Sequence, residues 1–543
     1  MGRKILLGLM AFALALTTAV PVYAVGIDSV EVETPVKNVI IMIPDGMSTD
    51  AVTLARWYNG GQALNLDKMA SGLVRTYSSD APIADSAPAG TAYATGYKSH
   101  TGFVGVLPDA NTMPGLDPLD ASRKRAPVAN ILEAAQLDGK ATGLIATSEI
   151  MHATPADFSA HYASRKAYDI LSMQQVYQDI DVVLGAGTKY LTESGRSDGN
   201  DLLAVIKDNY QYVDTTAEMK AVTTGKLWGM FSDTALAYDM DRDPAEEPSL
   251  AEMTQKAIDL LSRDEDGFFL MVEGSKIDWA AHANDPIGII SDTLAFDEAV
   301  GVALDFAESD GSTVVISVTD HGNSGISIGS KATDSTYDKQ PLASFIGPLS
   351  KATLTGEGIE GVLNADRGNV VEVMAKYYGI TDLTDDEIAA IKATKSGSMN
   401  YTVGPMIAKR ANIGFTTNGH TGEDVTLYVY APDGVGRLTG TVENTDIARY
   451  MEKVMGLSLE NATESLFVPA RAAFEALGAT VSYDTSDPDN PAVVAVRGTT
   501  EIRIPVNTNI AYVNGVRSEL TGVAVFDGVG TNYVPQSAVD LLK

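Results

Sequence analysis

The 543-residue chain contains no cysteine. That excludes disulfide bridges and thiolate metal ligands, so any bound metal must be held by His, Asp, Glu, Ser or Thr. Basic residues are the second scarcity: 39 Lys and Arg stand against 71 Asp and Glu, a formal charge of −32. So acidic a chain is a poor partner for nucleic-acid backbones and anionic membranes. An anionic small substrate would need local positive charge, which bound divalent cations supply; solubility and salt tolerance are the other readings of the acid excess. Beyond the N-terminus no apolar run is long enough to span a bilayer, so no transmembrane segment is expected. At the N-terminus, Arg3 and Lys4 precede an apolar run from Ile5 to Leu16, and Val22-Tyr23-Ala24 offers a small-residue cleavage pattern. Residues 1–24 read as a secretory signal peptide. The mature protein is therefore expected to be secreted or extracytoplasmic, whether periplasmic or associated with the cell envelope.

What is present is a repeated junction of buried strand and acid. Val39-Ile40-Ile41-Met42-Ile43 is continuously apolar, as in a strand covered on both faces, and ends in Pro44-Asp45-Gly46. Phe268 to Val272 runs into Glu273-Gly274, and Thr313 to Val318 runs into Thr319-Asp320-His321-Gly322. Helical patterns such as Val128 to Leu137 and Leu250 to Ser262 lie between them. The alternation predicts an α/β fold, a three-layer α/β/α sandwich with a central, mostly parallel sheet whose ligands bind at the carboxyl ends of the strands. Residues 323–411 have weaker strand signal and an acidic helix-like piece at Thr384 to Thr394, and are read as an inserted subdomain. Val425 to Tyr430 reads as a returning strand.

Ile83 to Gly96 is a small-residue stretch that delivers Ser86 to the start of a helix, where an anion is favoured. Asp85-Ser86 alone also reads as a helix cap, because a serine needs a neighbouring base or metal to act as a nucleophile. Four of the six histidines supply that context. Asp278 and His282 stand four apart, on one helical face. Asp320-His321 sits at a strand end, His420-Thr421-Gly422 opens a loop, and His152-Ala153-Thr154-Pro155 precedes Arg165 by about a dozen residues.

Taken in order, Asp45-Gly46-Met47, Asp85-Ser86-Ala87, His152-Ala153-Thr154-Pro155, Ser164-Arg165-Lys166, Glu273-Gly274, Asp278 through His282, Thr319-Asp320-His321 and His420-Thr421-Gly422 resemble the motifs of the alkaline phosphatase family. The resemblance covers roughly residues 37–457, within a catalytic domain read as 36–458. It implies hydrolysis of phosphate monoesters through a phosphoserine at Ser86, with two Zn2+ and one Mg2+. Asp278, His282 and His420 would hold one zinc; Asp45, Asp320 and His321 the second; Asp45, Thr154 and Glu273 the magnesium. Arg165 would hold two phosphate oxygens in a fork that lysine cannot reproduce. Two departures stand out. Some members carry Asp and Lys where this chain has His152 and Trp279. His152 is then a direct ligand or a supporting group beside the third metal, and Trp279 lacks the charge that Lys would bring to phosphate. His100 and His161 match no ligand position. Ser86 lies outside G-x-S-x-G, which disfavours a nucleophile-elbow hydrolase; a phosphodiesterase is the nearer rival. A homodimer is usual in the family.

From about Asn461 the texture changes to a short helix and several short strands, with Val468-Pro469 echoed at Val534-Pro535. Residues 461–543 resemble the small α+β stalk module at the N-terminus of copper amine oxidases. The segment has no histidine, so no copper site is implied. Contact with the cell envelope and simple stabilisation are the two roles open to it.

Overall fold

The computed structural model describes residues 26–543, so the expected signal peptide at 1–24 lies outside the described residues. Ten strands form one sheet, in the order Gly440–Glu443, Ala70–Arg75, Val425–Tyr430, Thr313–Val318, Asn38–Pro44, Phe268–Gly274, Ala141–Glu149, Val182–Ala186, Leu227–Met230 and Gln211–Val213. Every pairing is parallel except the two made by Val425–Tyr430, which runs against both of its neighbours. The fold is the expected α/β class with helices on both faces.

The central strands explain their own composition. All seven residues of Asn38–Pro44 are buried. Val39, Ile41 and Ile43 join the core that contains helices Ile131–Leu137 and Thr445–Met455. Ile40 and Met42 join the opposite core, against helices Leu250–Leu261 and Pro286–Asp310. Alternate side chains serve different faces, so both must be apolar, and each is worth about 1.5–3 kcal/mol of burial. The helix expected from Val128 starts only at Ile131. Asn130 caps it through a box with Glu133, leaving the preceding residues outside.

Between Thr313–Val318 and Val425–Tyr430 the chain leaves the sheet for a helical region that includes Ala343–Leu349, Gly356–Val362, Val370–Tyr377, Asp385–Ala393 and Met399–Arg410. The acidic piece at 384–394 is the fourth of these, capped by Thr384. The small C-terminal module follows: a five-stranded antiparallel meander over 480–519, a three-stranded sheet, and helices Ala470–Ala476 and Gln536–Asp540. It has its own core around Phe474, Val493 and Ile502. Phe467, Val523, Val525 and Tyr533 instead pack into the main core, so the module is seated on the sheet domain.

Candidate active site

Asp45 follows the strand Asn38–Pro44 directly, and Gly46 makes the turn after it at φ +66°, a conformation that favours glycine. A Cβ on Gly46 would meet Asp278 Oδ1 at 2.6 Å, so the turn also needs glycine's size. Glu273 is the penultimate residue of the neighbouring strand, and helix Lys276–His282 begins three residues later, carrying Asp278 and His282. On the other side, Thr313–Val318 ends just before Thr319-Asp320-His321. Asp320 accepts from the backbone N–H of Gly46 and of His321, both at 3.1 Å. His420 reaches the same place because His420–Thr421 pairs as a short antiparallel strand with Gly322–Asn323.

Ser86 is the first residue of helix Ser86–Thr95, whose ten residues are all buried. The Tyr93 hydroxyl donates to the Thr319 carbonyl at 2.7 Å, tying this helix to the Asp320–His321 turn. Ser86 Oγ lies 3.2 Å from His321 Nε2. Asp85 occupies the cap position but makes no cap hydrogen bond; its carboxylate instead takes a nitrogen of Arg165. The other end of the Arg165 fork donates to His152 Nε2 at 3.0 Å. The His152 ring meets Trp279 edge to face, centroids 6.1 Å apart, and the Lys276 ammonium lies 4.7 Å from the Trp279 ring centre. Thr154, on the short helix that His152 precedes, is fully buried.

The donor set fits bound cations. Nδ1 of His282 donates to the Asn418 carbonyl at 2.6 Å and Nδ1 of His420 to the Ala84 carbonyl at 2.8 Å. A carbonyl can only accept, so both rings present Nε2 to the site, and these two nitrogens stand 3.2 Å apart. Two lone pairs at that distance repel unless a proton or a cation lies between them. Asp278 is beside both, 3.3 Å from His282 Nε2 and 3.6 Å from His420 Nε2. Asp278 and His420 also cluster with His321, Asp45 and Asp320 cluster with the same His321, and Asp45, His152 and Glu273 form a third group. Both oxygens of Asp45, Asp320 Oδ2, Glu273 Oε1 and Thr154 Oγ1 are buried without a hydrogen-bond partner among the described residues. Orphaned buried oxygens are costly in a folded protein, and hard cations relieve that cost.

Acidities follow the crowding. Burial, then the charges of Asp320, Asp278 and Glu273, drives the Asp45 carboxyl well above its usual range. Burial also pushes Glu273 up to about 7. Burial and then Arg165 lower His152 to about 3, so it stays neutral and accepts from the guanidinium. Burial and then the His321 charge lower His420 to about 4. Burial would lower His282 too, but Asp278 outweighs it and holds the imidazole up at about 9.

Of the two histidines set aside in the sequence, His161 is fully buried between Glu133 Oε1, 2.9 Å from Nε2, and the Gly105 carbonyl, 2.8 Å from Nδ1. His100 sits 3.4 Å from Asp80. Sequence reasoning missed three participants. Asn323 donates to Asp278 Oδ1 at 2.6 Å, and its place two residues after His321 was the available signal. Asp85 proves to be the holder of Arg165. Asp157 is fully buried, accepts from Thr91 Oγ1 at 2.8 Å, and packs so closely on Gly90 that a Cβ there would lie 2.2 Å from it; nothing in the sequence marked it.

Hard oxygen and imidazole donors crowding one serine hydroxyl, with an arginine alongside, at the carboxyl ends of a doubly covered sheet, define a metal-dependent enzyme of phosphoryl transfer. Comparison with known proteins makes this specific. The alkaline phosphatase family profile matches residues 36–457, and that of the copper amine oxidase N-terminal domain matches residues 454–540. Alkaline phosphatase 4 of Bacillus subtilis is 36% identical over 441 residues, covering 77% of this chain and 89% of the relative. The repressible alkaline phosphatase of Saccharomyces cerevisiae is 32% identical, covering 79% and 83%. Among solved structures, the Thermus thermophilus alkaline phosphatase superposes with a TM-score of 0.69 at 26% identity, covering 80% of this chain and 96% of that one. The cold-active enzyme of a Shewanella species gives 0.66 at 27%, covering 77% and 99%. The chain belongs to the alkaline phosphatase family; it is a metal-dependent phosphomonoester hydrolase with a C-terminal copper amine oxidase N-terminal domain.

Proposed function

We propose that this enzyme hydrolyses phosphate monoesters through a phosphoserine at Ser86, using two Zn2+ and one Mg2+, and that it is exported. The observation that carries the reading is the convergence of Asp45, Glu273, Asp278, His282, Asp320, His321 and His420 on the neighbourhood of one serine hydroxyl, 3.2 Å from His321. Asp278, His282 and His420 would hold one zinc, and Asp45, Asp320 and His321 the other. Asp45, Thr154 and Glu273 would hold the magnesium, with His152 close enough to join them. A histidine-to-aspartate variant of the alkaline phosphatase from the Antarctic bacterium TAB5 is described with magnesium bound in its M3 site, which supports that choice of third metal. Bound zinc supplies Lewis acidity, lowering the pKa of a coordinated hydroxyl and neutralising charge on a leaving oxygen.

The chain's own groups do the rest. Ser86 Oγ attacks phosphorus, the substrate alcohol leaves, and water then cleaves the Ser86 ester to release inorganic phosphate. Arg165 holds two non-bridging oxygens, for which it must share its fork between phosphate and Asp85. His152 accepts one guanidinium N–H and keeps the fork oriented. Trp279 closes the side of the site behind His152. We further propose that residues 36–458 form the catalytic domain with an insertion at 323–411, that the insertion is the face of a homodimer, and that the module at 461–543 contacts the cell envelope. Turnover of p-nitrophenyl phosphate should exceed that of its bis-ester, disappear on chelation and return with zinc plus magnesium. Preference for the bis-ester, or indifference to chelators, would overturn the reading.

A further inference from the structure

A cavity of about 1000 Å3, lined by none of the donor residues, lies in the seam between the sheet domain and the C-terminal module. Tyr162, Tyr168 and Tyr190 line one wall; Tyr483 and Phe526 line the other. All five residues are half-buried, and Tyr168 meets Tyr190 edge to face with centroids 4.9 Å apart. The seam is held by Gln174 Nε2 donating to Asn507 Oδ1 at 2.9 Å and by Asn200 Nδ2 donating to Asn490 Oδ1 at 3.0 Å. Its volume is at the upper end for small-molecule sites and too small for a folded partner.

The lining chemistry narrows the occupant. Asp169, Asp198 and Asp489 face the cavity against a single lysine, Lys166, so the seam does not suit a polyanion. Asp198 is paired with Arg196 at 2.5 Å, and the Asp169 carboxylate accepts from the Ser197 N–H at 3.0 Å, so what remains is a modestly acidic rim of hydrogen-bond acceptors beside ring faces. A purely apolar occupant would strand these carboxylates and amides. Pyranose rings satisfy both: their C–H faces stack on tyrosine, and their hydroxyls donate to the carboxylate rim. We propose that the seam is a binding site for a neutral oligosaccharide, gripped between Tyr168 and Tyr190 on the catalytic wall and Tyr483 and Phe526 on the module.

Isothermal titration calorimetry of the full-length metal-loaded protein with maltohexaose and chitohexaose tests this. At least one should bind. Tyr168→Ala and Tyr483→Ala should each weaken binding tenfold or more, whereas Tyr483→Phe, which keeps the ring, should stay within threefold of wild type. Turnover of p-nitrophenyl phosphate by the Tyr483→Ala protein should be unchanged, which shows the catalytic domain intact. Should that variant melt early, Asp489→Ala on the exposed rim serves in its place, with a loss of at least threefold expected. No binding of either sugar by wild type, or binding that survives these substitutions, would overturn the proposal. Because the readout is binding, it stands or falls apart from the metal assignments.

Discussion

Arg165→Lys isolates what a fork contributes that a charge does not. Arg165 is planar and four-fifths buried at its side chain, with one end on Asp85 and the other 3.0 Å from His152 Nε2. Burial disfavours its charge, yet Asp85, Asp45 and Asp157 raise its pKa, so it stays cationic throughout the working range. Lysine retains the charge but offers a single point donor. One of two parallel bonds to phosphate is lost, and the His152 acceptor loses its partner. A hydrogen bond to a charged group is worth about 1.5–3 kcal/mol, so a loss of about 2 kcal/mol is expected, roughly 30-fold in affinity. Competitive inhibition of p-nitrophenyl phosphate hydrolysis by inorganic phosphate measures it. The inhibition constant should rise about 30-fold. Asp85→Asn should move the other way, because the fork no longer has a carboxylate to give up. An inhibition constant within twofold of wild type for Arg165→Lys would refute the bidentate role.

Three further outcomes follow from the geometry. Trp279→Lys brings an ammonium beside His152 and Arg165 and should tighten phosphate inhibition; an unchanged constant would show that this position does not sense phosphate. His161→Ala removes the cationic partner of buried Glu133, which keeps only the Asn130 N–H and the Gln178 amide, and should cost about 3 kcal/mol in denaturant unfolding. Burial lowers the His161 pKa but Glu133 outweighs it, so the folded value is raised. Its contribution is then complete below about 6.5, the unfolded value, and fades as pH rises through the folded value. The gap in melting temperature between wild type and the Ala variant should narrow in that direction. Finally, at about 1,000 times its dissociation constant each bound ion should add about 4 kcal/mol to the stability of the metal-free protein, read as a stepwise rise in melting temperature with zinc and then magnesium. Metal-independent melting would contradict the claim that the orphaned oxygens of Asp45, Glu273 and Thr154 await cations.

The parts of the fold legible in the sequence were those whose burial is uniform. Asn38–Pro44, Phe268–Gly274 and Thr313–Val318 are covered on both faces, so their composition alone marks them. Ala70–Arg75 and Gly440–Glu443 lie at one edge of the sheet, bury only one residue each, and carry too little apolar signal to be found locally. The same divide runs through the site. Asp278 and His282 are legible because helical spacing alone puts them on one face. That His420 meets them depends on a two-residue strand pairing 97 positions away from Asn323, and only its motif pointed there. The grip of Asp85 and His152 on Arg165 joins segments 80 and 13 residues apart and could not be read from spacing. Asp85 was legible as a helix cap by type, but its side chain is drawn off by a stronger, charged partner. The seam between the modules is tertiary: of the quoted motifs only Lys166 reaches it, and its aromatic lining comes from segments far apart in the chain.

Quenching the metal-loaded enzyme with acid during turnover and locating phosphate by mass spectrometry of its peptides tests the phosphoserine itself. Phosphate on Ser86, formed and lost at rates compatible with turnover and missing from Ser86→Ala along with the activity, is the predicted result. Full activity in Ser86→Ala, or phosphate on a different residue, would contradict it.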